Sequence, residues 1–143
     1  MTETSLVNCF LDSNAWLYAF IESQDQQKSV IARRLVHDNV FIISAQVINE
    51  VCINLIKKAN FDEAGIRRLV VSFYLEHYVV EITKEILLKA SELRSRYRFS
   101  FWDSIIVSSA LNAEATILYS EDMGDGLVVD DRLTIRNPFG PSA

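Results

Sequence analysis

With 143 residues, half of them hydrophobic, the chain can bury the core of one domain, and its 4 glycines and 2 prolines argue against disorder or low complexity. No apolar run approaches the ~20 residues of a membrane span, and M-T-E-T-S-L-V-N lacks the basic and apolar regions of a secretory signal, so a cytoplasmic protein with no membrane contact is expected. The formal net charge of −5 excludes a general polyanion binder, because phosphate contacts need Lys and Arg.

That charge is unevenly placed. Residues 99–143 carry 7 acids against Arg132 and Arg136, whereas residues 1–98 carry 12 of each sign. The whole excess therefore lies in the last third, as a cluster of metal-binding carboxylates would leave it. Cys9 and Cys52 have no metal-type spacing and read as two buried, reduced thiols.

In chain order, Leu6 to Leu11 is a short apolar run suited to a central buried strand. Asp12-Ser13-Asn14 follows at once, and A-W-L-Y-A-F-I opens a helix. All three are competent N-caps, so a purely structural reading of the triplet stands beside a functional one. Asp25 to His37 predicts a second helix, with Val30, Ile31 and Leu35 buried and Arg33 and Arg34 outside. Val40 to Ile43 is a second strand. Ser44 then caps a helix whose apolar face is Val47, Ile48, Val51, Cys52, Leu55 and Ile56. Glu50, beside Asn49, lies among these. Either it is partly buried and needs a cation, since an unpaired buried carboxylate is costly, or it rims the stripe in water.

Asp62 to Leu75 predicts a fourth helix, Tyr78 to Glu81 a third strand, and Thr83 to Tyr97 a fifth helix capped by Thr83. Arg94, Arg96 and Arg98 at its end, interleaved with Tyr97 and Phe99, either answer the helix macrodipole or hold a phosphate backbone. In F-S-F-W-D-S-I-I-V-S-S-A, Asp103 stands where a further helix begins. Thr116 to Tyr119 is a buried strand, with Ser120-Glu121-Asp122 just past its end. After the M-G-D-G turn, Leu127 to Asp130 and Leu133 to Arg136 make a short edge strand or hairpin. His37 and His77 lack a companion at ligand spacing.

Strands alternating with helices predict a three-layer α/β/α fold, with a mostly parallel sheet of about four to five strands in a single domain over residues 1–143. Ligands of such sheets bind at the carboxyl ends of strands. Asp12, Glu50, Asp103 and Asp122 stand at element ends or on a half-apolar helix face, with no Ser-His-Asp set, Cys-His set or Gly-rich phosphate loop beside them. Carboxylates without His or Cys select hard cations, so Mg²⁺ or Mn²⁺ is the expected cofactor. Such an ion serves phosphodiester hydrolysis.

D-S-N after the first strand, N-E in the third helix, W-D-S-I-I-V-S-S-A opening a helix and Y-S-E-D after the next strand together resemble the PIN-domain ribonucleases, specifically the VapC-type toxins of toxin–antitoxin modules. The resemblance covers nearly the whole chain in order. It implies a metal-dependent endoribonuclease with Asp12, Glu50, Asp103 and Asp122 as metal-site acids, and Asn14 and Ser120 as polar neighbours that orient a ligand or water. Glu121 and Asp125 are left as possible outer groups, because Gly124 and Asp125 depart from the usual motif. It also implies an RNA substrate, a homodimer and a cognate antitoxin that occupies the site, with Trp16 or Phe73 as aromatics for such contacts if they are not core. Two alternatives remain open. A haloacid-dehalogenase-type phosphatase would need a second Asp where Asn14 stands. A catalytically silent PIN-like module would bind RNA or a protein partner.

Overall fold

The computed structural model describes residues 8–21 and 25–140. The elements run β1 (Cys9–Leu11), α1 (Ser13–Phe20), α2 (Gln26–Asp38), β2 (Ile42–Ser44), α3 (Ala45–Ala59), α4 (Glu63–Glu76), β3 (Tyr78–Val80), α5 (Lys84–Arg96), α6 (Phe101–Asn112), β4 (Ile117–Tyr119), β5 (Val128–Val129) and β6 (Leu133–Arg136). They build a three-layer α/β/α fold around one six-stranded sheet of order β3-β2-β1-β4-β6-β5. Every pairing is parallel except β5 with β6. The sheet is larger than expected because the tail supplies both β6, parallel to β4, and its antiparallel hairpin partner β5. Residues 6 and 7 of the expected first strand lie outside the described residues.

Local chemistry accounts for the helix starts. Asp12, Asp25, Ser44, Asp62, Thr83 and Ser100 each accept a backbone N–H at the first turn of the helix that follows. α3 ends on Asn60 in the left-handed region (φ 55°), a conformation that Asn tolerates. The β5–β6 turn places Asp130 and Asp131 at φ 52° and 56° and closes with Arg132 N–H on the Val129 carbonyl at 3.0 Å.

The strands read as continuous apolar runs because both faces are covered: Phe10, Leu11, Ile42, Ile43, Leu118 and Ile135 are fully buried. Trp16 and Phe73 belong to this core and are no contact aromatics. The Trp16 indole donates to the Leu11 carbonyl at 3.0 Å and meets Phe41, Phe73 and His77 edge-on. His77 accepts the Phe41 N–H through Nδ1 at 3.0 Å, and burial lowers its pKa. Two expected core positions face water instead, Val30 on α2 and Ile56 on α3. On α2 the inward positions are the small Ser29 and Ala32, which let α2 lie close against α1.

α6 is buried nearly all round, from Ser104 to Leu111, and so carries no apolar stripe for a pattern to find. Its buried hydroxyls are all satisfied: Ser104 on the Phe101 carbonyl at 2.6 Å, Ser108 on Ile86 of α5 at 2.7 Å, Ser109 on Ile105 at 2.8 Å. The Ser108 bond fixes α6 against α5.

Candidate active site

β1 has β2 on one side and β4 on the other, so the connections reverse direction beside it. A reversal of this kind opens a crevice at the carboxyl ends of the two strands. The parallel register Leu11↔Tyr119 puts the next residues, Asp12 and Ser120, side by side. Asp12 N–H reaches the Tyr119 carbonyl at 3.0 Å, and Ser120 N–H reaches Arg136 on β6 at 2.9 Å. The two residues that end these strands are thus anchored by sheet bonds.

Asp12 is only 7 % exposed. Its Oδ1 accepts Ser13 N–H at 2.7 Å, which caps α1, and its Oδ2 accepts the buried Ser120 hydroxyl at 2.9 Å. One side chain thus caps α1 and joins the ends of β1 and β4. Burial nonetheless raises its pKa, opposed by these hydrogen bonds, and the Asp103 charge adds to the rise. Glu50 is partly buried on α3. Burial raises its pKa first, then the Asp12 charge and, more weakly, Asp103, while the Ser13 and Gln46 side chains pull it down. Its Oε1 is buried and makes no hydrogen bond. Of the two readings of Glu50, the partly buried one holds.

Asp103 is raised by burial and by the Asp122 charge, against a hydrogen bond from Ser100. It does not start α6. Ser100 is the cap, accepting Asp103 N–H at 3.1 Å, and Asp103 sits in the first turn, where the helix N-terminus favours a carboxylate. Asp122 is exposed, and Asn14 Nδ2 donates to its Oδ2 at 3.2 Å. Asp12, Glu50 and Asp103, from three separated segments, therefore feel one another's charge, Asp122 joins them through Asp103, and Asn14 and Ser120 each hold one of the four.

Glu121 and Asp125 go elsewhere. Glu121 is taken up by an ion pair with Lys28 and by the Tyr18 hydroxyl at 3.2 Å, with Lys28 over the Phe139 ring, so it ties α1, α2 and the tail together. Asp125 accepts Asn137 N–H at 2.9 Å and braces the turn before β5. The three arginines also separate. Arg96 is paired with Asp130 at 2.5 Å and Glu92 at 3.3 Å. Arg94 donates to Ser104 Oγ at 2.7 Å and stacks 4.2 Å over the Phe101 ring. Arg98 is exposed. Arg94 and Arg96 do not share a patch, because alternate residues of a helix point to opposite sides, and Arg98 lies beyond the end of α5.

Sequence reasoning missed Gln46. Its Nε2 donates to the Trp102 carbonyl at 3.3 Å, linking α3 to α6 beside Asp103, and its own Oε1 is a buried orphan like that of Glu50. The signal was available: Gln46 lies one helical turn before Glu50.

The donors are hard carboxylate oxygens, one of them without a hydrogen-bond partner, and their mutual repulsion is what a divalent ion cancels. The donor chemistry thus fits Mg²⁺ or Mn²⁺. Among the described residues no three His, Cys, Asp or Glu side chains already stand at a spacing that would hold an ion.

A family model described as the PIN domain matches residues 9–124. No curated protein matches the sequence. Similar solved structures include VapC20 of Mycobacterium tuberculosis, described as a sarcin-ricin loop cleaving toxin, with 19 % identity, TM-score 0.66 and coverage of 80 % of this chain and 90 % of that one. A toxin–antitoxin complex from Klebsiella pneumoniae matches at 17 % identity and TM-score 0.68, over 91 % of this chain and 97 % of the other. FitAcB from Neisseria gonorrhoeae matches at 14 % and 0.65, over 92 % and 98 %. Identities this low speak for the shared fold. Because the family match runs from β1 through Asp122, over most of the chain and all four acids, the protein belongs to the PIN domain family.

Proposed function

We propose that this protein is a divalent-metal-dependent endoribonuclease acting as the toxin of a toxin–antitoxin pair. The observation that carries this reading is the convergence of Asp12, Glu50, Asp103 and Asp122 at the strand-order reversal, three of them with raised pKa values. A fold gains nothing from burying like charges together, so the cluster reads as a site kept for a cation. The neighbouring VapC20, described as a sarcin-ricin loop cleaving toxin, supports the reaction class.

In this reading Asp12, Asp103, Asp122 and Glu50 hold Mg²⁺ or Mn²⁺. When bound, the ion supplies Lewis-acid activation and neutralises charge developing on the phosphodiester. The chain's own residues do the rest. Ser13 N–H and the Ser120 hydroxyl fix both oxygens of Asp12, so it presents its remaining lone pairs in one orientation. Asn14 does the same for Asp122. Glu50, with a raised pKa and an unpartnered Oε1, is suited to take a proton from the attacking water.

The partners that accompany this reading are single RNA chains, a cognate antitoxin and a second copy of the chain, in the cytoplasm. Protein partners need apolar surface. α4 exposes Val71, Tyr74 and Leu75 on one face, and Tyr78 is exposed on the edge strand β3. Among the described residues, no helix is long and apolar enough to cross a membrane.

The test is cleavage of a mixed RNA pool by purified protein with Mg²⁺, Mn²⁺ or EDTA, beside Asp12→Asn and Asp103→Asn. Ion-dependent cleavage lost in both variants is the expected result. A folded, partner-free wild type that cuts nothing with either ion would move the reading to a silent RNA- or protein-binding module.

A further inference from the structure

The first turn of α6 turns two large aromatic rings to water directly beside the acidic site. Trp16, Phe10, Phe41 and Phe73 are no more than 1 % exposed, yet Trp102 is 62 % exposed and Phe101 56 %. These two rings directly precede Asp103. Their centroids are 5.7 Å apart and their planes cross at 78°, so they offer two faces nearly at right angles. The backbone beneath them is pinned on three sides: Ser100 caps the turn, Ser104 Oγ donates to the Phe101 carbonyl at 2.6 Å, and Gln46 Nε2 donates to the Trp102 carbonyl at 3.3 Å. Arg94, itself held on Ser104 Oγ at 2.7 Å, lays its guanidinium 4.2 Å over Phe101.

Resting on the nuclease reading, we infer that Phe101 and Trp102, with Arg94, form a stacking platform that binds unpaired bases of a single-stranded RNA and lays the adjoining phosphate against Asp103. The chemistry requires something of this kind. A chain of net charge −5, with four acids at the site, has no long-range attraction for a polyanion. Binding has to come from short-range contacts that do not depend on net charge. Base–aromatic stacking is such a contact, and every base has a π-face. Arg94 adds a cation that can sit against a stacked base or a phosphate without leaving its place over Phe101. The platform admits unpaired nucleotides only, because the faces of paired bases are already covered by their neighbours.

The chain holds its own probe. It has 2 tryptophans, and Trp16 is buried with its N–H on Leu11, which leaves Trp102 as the one that solution bases can reach. In EDTA, where no cleavage occurs, a single-stranded oligoribonucleotide should quench the fluorescence of the wild type, and a duplex of the same sequence should not. Trp102→Ala is expected to weaken oligonucleotide binding roughly tenfold to a hundredfold, with Phe101→Ala giving a loss of the same kind. Trp102→Phe should restore most of that binding. With metal present, the alanine variants should raise KM rather than lower kcat and leave the ion-induced thermal shift intact. Quenching and binding without any cleavage would overturn the nuclease reading and keep the platform. Unchanged RNA affinity in Trp102→Ala, or quenching by duplex as strong as by single strand, would overturn the platform. So would a Trp102 emission that responds only to protein concentration, with loss of a dimer peak in Trp102→Ala, which would give the rings to a contact between copies.

Discussion

Two charged regions of this molecule follow opposite rules. On the α5–hairpin surface, Lys89 contacts Asp130 at 2.6 Å and Glu92 at 2.7 Å, while Arg96 reaches Asp130 at 2.5 Å and Glu92 at 3.3 Å. Hydrogen bonds from Lys89, ahead of every other cause, hold both carboxylates below their usual range. In the crevice, Asp12, Glu50 and Asp103 stand among like charges, and burial pushes all three upward. Acids surrounded by cations stabilise a fold, whereas acids gathered without cations weaken it until something binds. Charge alone does not separate the two regions. The direction of the pKa shift does.

The sharpest way to break this comparison is to neutralise one crevice acid. On the proposed nuclease reading, Asp103→Asn and Asp12→Asn should each lower RNA cleavage by a hundredfold or more, since a carboxylate that held the ion would supply several kcal/mol of transition-state stabilisation, at about 1.36 kcal/mol per tenfold. The melting temperatures should divide the two variants. Asp103→Asn removes a repelled charge and should raise the metal-free melting temperature, an outcome opposite to its effect on activity. Asp12→Asn should not, because the Asp12 carboxylate also caps α1 and accepts the Ser120 hydroxyl. A destabilised Asp103→Asn would show that the acids are structural after all.

Next in size is the ion itself. Mg²⁺ or Mn²⁺ at a hundred times its dissociation constant stabilises by about 2.7 kcal/mol through linkage. Calorimetry of the wild type should show that rise, and Asp12→Asn should lose it. The α5–hairpin cluster should be indifferent to the same ions in both proteins.

The paired region is weakened by Asp130→Ala, which leaves Lys89 and Arg96 with Glu92 as their shared carboxylate and places an alanine at φ 52°. The Asp130 side chain is 15 % exposed, so its pairs are better shielded than ordinary surface pairs, and a loss of about 1 kcal/mol is expected. The pH dependence has opposite signs in the two regions. Asp130 and Glu92 are lowered in the fold, so their stabilisation is present above the unfolded carboxylate pKa near 4 and is lost as pH falls through the folded values. Asp12, Glu50 and Asp103 are raised, so their contribution is present below that pKa and lost as pH rises through the folded values. Metal-free denaturation across pH 3 to 7 should therefore fall more steeply on the acid side in Asp103→Asn than in the wild type. Asp130→Ala should flatten that side.

Which of these features were readable beforehand follows from their range along the chain. Helix starts at Asp25, Ser44, Asp62 and Thr83 were legible, because a cap acts over three residues. The alternation of strands and helices gave the parallel sheet, and the strand-end position of Asp12 and Asp122 gave the crevice. The displaced start of α6 has a local cause: Phe101 and Trp102 are helical yet exposed, so the apolar pattern begins only after Asp103. The six-strand count needed tertiary pairing, since β5 is only two residues long and exists by leaning on β6. Trp16 and Phe73 could not be placed from pattern alone, for a lone aromatic fits core and surface equally until His77 and Phe41 are seen to close around it. The fates of Glu121 and Arg96 were the least visible, as their partners Lys28 and Asp130 stand 93 and 34 residues away.

Glu121 gives the finest test of the comparison, being adjacent in sequence to Asp122 yet belonging to the paired kind. Its carboxylate answers Lys28 and Tyr18, and the Lys28 pKa is raised chiefly by that hydrogen bond. Glu121→Gln should thus cost no more than the ~1 kcal/mol expected at Asp130, whose side chain is similarly shielded. It should leave the ion-induced thermal shift and the cleavage rate where they were. Were the shift to shrink in Glu121→Gln, the carboxylate would have to exchange Lys28 for the ion, and the boundary between the two regions would run between Glu121 and Lys28 instead of between Glu121 and Asp122.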